Sequence, residues 1–127
     1  MAKLIKNAIE TPDGTILHSR SRHDCVTHTD ANGKEYMVDG GLAYQRHSAN
    51  GDEIDRCVWD DDPFDMIREG VEWGSRGKDG KQELRYIRLC DMETDHIRAV
   101  LDNVKTIAYQ FKEAMITELE YRNVYER

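Results

Sequence analysis

The feature that most constrains this chain is the stretch from Thr11 to Gly41, TPDGTILHSRSRHDCVTHTDANGKEYMVDGG, where turn chemistry recurs at hairpin spacing. Thr11-Pro12-Asp13-Gly14 places Pro second and Gly fourth, which suits a type I turn. Asp30-Ala31-Asn32-Gly33 ends in Asn-Gly, a strong short-range hairpin signal. Between the turns lies Arg20-Ser21-Arg22-His23-Asp24, rich in hydrogen-bond donors. Asp39-Gly40-Gly41 then allows the backbone to turn tightly or to approach a ligand closely. The stretch therefore reads as a hairpin platform that carries Arg20, Arg22 and His23.

The strands expected around it are short. They cover Lys3 to Ile9, Thr15 to Arg20, His23 to Thr29, Glu35 to Asp39, Leu42 to His47 and Ile54 to Trp59. Short strands joined by hairpin turns make the sheet antiparallel. The pattern changes at Asp60. Asp62 can cap a helix that has Pro63 in its first position, with Phe64, Ile67 and Val71 on one face. Residues 74–81 read as a loop, and Leu84 to Cys90 as a further strand. A helix opens at Thr94-Asp95, with Ile97, Val100 and Leu101 as its apolar face. A last helix from about Thr106 repeats apolar residues at Val104, Ile107, Phe111, Met115 and Leu119. The expected fold class is α+β, an antiparallel sheet of hairpins followed by two or three C-terminal helices, in one domain over residues 1–127.

Apolar residues make up 39% of the chain and charged residues 34%, so the core is small for the length. A thin-cored monomer and a protomer completed by a partner both fit, and the second is preferred. The net charge of −7 argues against long nucleic acid as a partner. It leaves room for a small anion held by a local basic cluster. No apolar run is long enough for a membrane span, and Met1 to Lys6 is too polar and short for a signal peptide. Cys25, Cys57 and Cys90 are odd in number and widely spaced, which suits buried free thiols in a reducing cytosol.

Several site chemistries can be weighed from the residues. The segment 74–82 holds three glycines with Arg76, Lys78 and Lys81, but it is no P-loop. Five residues separate Gly74 from Gly80, and Gln82 stands where a hydroxyl should meet magnesium. A flexible solvated loop and a basic lid over an anion both remain open. His23, Cys25 and His28 on one strand alternate between faces, so a metal site is not expected. No nucleophile stands in an elbow beside a His, so no catalytic constellation is expected either. Arg20, Arg22, Arg46, Arg76, Arg85 and Arg88 suit phosphate, unless they pair with surface carboxylates. Trp59, Trp73, Tyr44 and Tyr86 offer faces on which a purine could stack.

The ordered segments TPDGTILHSRSRHDCVTH, DANGKEYMVDGG, WGSRGKDGKQELRYIRL, DMETDHIRAVL and TELEYR, from Thr11 to Arg122, resemble the first-type Thoeris anti-defence proteins of bacteriophages. The resemblance implies a sponge in the host bacterial cytoplasm. Such a protein binds cyclic ADP-ribose isomers made by the TIR-domain protein of Thoeris and holds them without cleaving them. It implies a homodimer or hexamer, with a second set of sites in some members for cyclic oligonucleotides of CBASS. It implies no cofactor. The expected ligand-binding residues are Trp73, Arg76, Lys78 and Arg122 for the main pocket, with the Arg20–His23 platform as its alternative place and Arg22 and His23 for the second site. The main alternative is a phosphodiesterase that degrades the same signal. A plain interaction protein that caps a partner through an edge strand is a third reading.

Overall fold

The computed structural model describes residues 2–77 and 79–124. It has an α+β fold, with antiparallel sheets in the N-terminal part followed by three helices. The chain divides into two compact units, Met1–Asp61 and Asp62–Arg127.

The strands of the first unit are β1 (Leu4–Glu10), β2 (Ile16–Ser19), β3 (Val26–Thr29), β4 (Glu35–Asp39), β5 (Arg46–His47), β6 (Ile54–Asp55) and β7 (Val58–Trp59). Leu4, Ile5, Asn7, Ala8 and Ile9 are all buried. Consecutive residues of a strand point to opposite faces, so β1 is covered on both. It is also central in its sheet, with β2 on one side and β6 and β7 along the other. A second antiparallel sheet runs β3-β4-β5. Ile9, Leu17, Tyr36 and Val38 form a core cluster against which Val26 packs.

The two turns form where the sequence places them. The Gly14 amide donates to the Thr11 carbonyl at 2.9 Å, and the Gly33 amide to the Asp30 carbonyl at 3.0 Å. The segment after β4 differs from expectation. Gly40 and Gly41 adopt φ of +108° and +53°, and the Ala43 amide returns to the Gly40 carbonyl at 2.9 Å. Residues 41–43 therefore turn, and only Arg46–His47 forms a strand. Both glycines are needed there. A Cβ on Gly41 would lie 2.3 Å from the Ser21 carbonyl carbon, and one on Gly40 would lie 2.0 Å from the Tyr44 oxygen. The close approach is to the chain's own backbone. The strand expected over Ile54 to Trp59 is interrupted at Arg56-Cys57. There the Arg56 amide reaches the Ala8 carbonyl at 3.0 Å, and the Cys57 amide reaches Asp55 Oδ1 at 2.8 Å.

In the second unit, α1 (Phe64–Gly70) is followed by β8 (Glu72–Ser75), β9 (Arg85–Arg88), a 3-10 turn (Leu89–Asp91), α2 (Thr94–Asn103) and α3 (Tyr109–Tyr121). Pro63, rather than Asp62, stands at the start of α1, and its carbonyl accepts the Met66 amide at 2.9 Å. β8 is a strand where the glycines suggested a loop from residue 74. It pairs with β9 from Glu72↔Arg88 to Ser75↔Arg85, and the Leu89 amide continues the ladder to the Val71 carbonyl at 2.8 Å. The helix expected from Thr106 begins at Tyr109. Ile67, Val71, Leu89, Met92, Ile97, Val100, Ala114, Met115 and Leu119 are the buried apolar residues of this unit. Met115 and Leu119 are thus covered within the protomer, and the prominent exposed aromatics of α3 are Tyr109 and Tyr121, at 61% and 59% exposure.

Candidate functional site

The second unit holds an open groove of about 920 Å³. One wall is strand β9. All four of its residues, Arg85, Tyr86, Ile87 and Arg88, line the groove, joined by Ser75 and Gly77 from the other arm of the hairpin. The 3-10 turn and the start of α2 also line it, with Asp91, Glu93, Asp95 and His96. Met92, Ala99, Val100 and Val104 add apolar surface. Local sequence explains this arrangement. The hairpin brings Arg85 opposite Ser75, and Gly77, at φ +82°, supplies a left-handed turn residue between the strands. Only the short 3-10 turn and two following residues separate β9 from α2, so both elements contribute to one groove.

The lining carries charges of both signs. Arg88 is engaged by Asp91 at 3.0 Å, and this bond, with the attraction of the carboxylate, raises the guanidinium pKa above its ordinary value. Arg85 is exposed on the same strand, and Tyr86 is 45% exposed. Glu93 and Asp95 are exposed on the helix wall. A planar guanidinium can bind phosphate through paired N–H donors, the Tyr86 ring offers a stacking face, and the carboxylates can accept from hydroxyls.

Behind the helix wall is a buried ion network. Glu118 is fully buried in α3. Arg68 donates to it from Nε and an Nη at 2.8 Å each, and Arg122 donates from Nε at 2.6 Å. The bonds to Glu118 raise the Arg68 pKa. The Arg68 guanidinium also lies 4.4 Å from the centre of the Tyr121 ring. Arg122 continues to the Leu89 carbonyl and to Thr94 Oγ1, both at 3.1 Å. It therefore ties α3 to the 3-10 turn and to the first residue of α2.

The residues expected from sequence are dispersed. Trp73 is half-buried on β8 and meets Phe111 edge-on, with ring centres 6.2 Å apart. Arg76 is exposed just beyond β8, and its carbonyl accepts the Gln82 amide at 2.8 Å. Ser75 and Gly77, its neighbours, line the groove, whereas Trp73, Arg76 and Arg122 do not. Lys78 lies outside the described residues. Arg20, Arg22 and His23 belong to the first unit. The Arg20 amide donates to Asp24 Oδ2 at 2.9 Å, and Arg22 and His23 are exposed on the turn that follows β2. That turn is held from below by buried Ser19, whose hydroxyl donates to the Asp24 carbonyl at 2.6 Å and accepts the Gly41 amide at 2.9 Å.

Among the described residues no group of three or more His, Cys, Asp or Glu side chains could hold a metal ion. Arg85, Arg88 and Tyr86 stand out in the sequence as anion and stacking candidates, but nothing there places them together. Glu93, Asp95 and His96 do not stand out at all. The available signal was proximity in sequence, since an Arg-x-x-Arg strand is followed within a few residues by a polar helix start. No family model, curated protein or solved structure matches this chain.

Proposed function

We propose that this protein binds and sequesters a cyclic ADP-ribose isomer, the ligand class implied by its resemblance to the phage anti-Thoeris proteins, and releases it unchanged. The observation that supports this reading is the groove of the second unit. It has the size of a small-ligand site and combines Arg85, Ile87 and His96 with apolar surface from α2. A phosphate would lie at Arg85, the base against Ile87, which shares the Arg85 face of the strand, and the apolar residues of α2, and the ribose hydroxyls at Glu93 and Asp95. The protein would act in the cytoplasm of an infected bacterium as a homodimer or hexamer, and Arg22 and His23 of the first unit remain its candidates for a second, cyclic-oligonucleotide site.

Incubation of the protein with the nucleotide, heat denaturation and chromatography of the supernatant test the reading. Recovery of unchanged ligand that had been withheld from solution supports sequestration. A new product indicates a phosphodiesterase, and no retention in the native protein contradicts binding.

A further inference from the structure

The acidic residues of the groove are unexpected in a site for an anion, and they suggest how such a site would choose among anions. Glu93 and Asp95 line the same groove as Arg85 and Arg88. Arg88 is already engaged by Asp91 at 3.0 Å. Arg98 comes no closer to Asp95 than 4.0 Å, and the Asp95 side chain is 95% exposed. Asp95 also has an ordinary structural role, since a carboxylate in the first turn favours a helix. That role does not account for the arginines that share its groove. Like charges set against a ligand lower its affinity, and a site can gain specificity by such repulsion as well as by attraction.

We infer that Glu93 and Asp95 are specificity-determining residues that admit a ribosylated diphosphate and repel more highly charged nucleotides such as triphosphates. The inference rests on the nucleotide reading of the groove. An ADP-ribose-type ligand carries its phosphates in the middle and neutral ribose hydroxyls around them. Its anionic part can meet Arg85 while the hydroxyls donate to Glu93 and Asp95. A nucleoside triphosphate has an unbroken anionic tail and fewer hydroxyls, so it brings charge toward both carboxylates. The apolar residues Ala99, Val100 and Val104 serve either base equally, so discrimination falls to the charged residues.

The test is calorimetry with a cyclic ADP-ribose isomer and with ATP, without divalent metal, on the wild-type protein and on the double variant Glu93→Gln, Asp95→Asn. Both positions are exposed, and the amides keep the shape and hydrogen-bonding capacity of the acids. The wild-type protein should prefer the cyclic isomer by about tenfold or more, and the double variant should lose most of that preference because ATP binds more tightly. High salt should narrow the wild-type preference, since exposed charges are screened, whereas a purely structural effect of the substitutions would not follow salt. An unchanged ratio in the double variant, or equal affinity for the two nucleotides in the wild type, overturns the inference while the groove remains a nucleotide site. If the wild-type protein binds neither nucleotide, the nucleotide reading fails and the inference fails with it.

Discussion

Arg122 shows how one side chain can look like a ligand contact in sequence and be committed elsewhere in the fold. It is an arginine near the end of the last helix of an acidic chain, so an anion is a natural guess. Its guanidinium instead meets Glu118, Thr94 and the Leu89 carbonyl. Glu118 is fully buried, and a buried carboxylate that loses a partner is strongly destabilising. Arg68 would remain bonded to it in Arg122→Ala, so the expected loss is near the lower end of the range for breaking a buried pair, about 3 kcal/mol by urea unfolding. A variant as stable as the wild type would contradict the role given to the network. Cys57 provides a second test at this scale. Burial pushes its thiol up to about 11 from 9.0. Iodoacetamide at mildly alkaline pH should therefore label exposed Cys25 well before Cys57. The raised pKa means that the native state holds this proton more tightly than the unfolded chain. Its contribution to stability is complete below pH 9.0 and is lost as the pH climbs through about 11. A Cys57→Ala variant should show a shallower alkaline loss of stability.

At the scale of elements, the turns decide the first unit. Gly41 is buried at positive φ against Ser21, whereas Gly14, also at positive φ, has open space where a methyl group would project, with nothing within 4 Å. Gly14→Ala should cost about 1–2 kcal/mol for the backbone conformation alone. Gly41→Ala should cost clearly more than about 2 kcal/mol, because the clash adds to it. Equal midpoints in urea for the two variants would refute that contrast. The same elements show what sequence reveals. The turns at 11–14 and 30–33 depend on local residue chemistry, and the strands beside them were legible to within a few residues. Arg46–His47 and the interruption at Arg56-Cys57 were not, because each is set by contacts to distant backbone, such as Ala8. β8 was obscured by the glycines at 74 and 77, and its pairing with Arg85–Arg88 across the intervening loop carries no local signature. The groove was hidden for the same reason. Its arginines were visible as residues, but their convergence with the start of α2 is a tertiary fact.

At the scale of the whole molecule, the exposed Tyr109 and Tyr121 of α3 accord with the proposal of a homo-oligomer, and sedimentation at micromolar protein should give a mass of at least twice the protomer's 14.8 kDa. A protomer mass would remove that part of the proposal. The central claim is that the molecule holds its ligand in the groove of the second unit, and calorimetry with a cyclic ADP-ribose isomer on Arg85→Ala and Arg76→Ala tests it most directly. Arg85 lines the groove and Arg76 does not. Loss of a hydrogen bond to a charged group costs about 1.5–3 kcal/mol, so Arg85→Ala should weaken binding roughly ten- to a hundredfold, with Arg76→Ala affected less. Undiminished binding by Arg85→Ala together with a large loss in Arg76→Ala would contradict the account and move the ligand out of the groove.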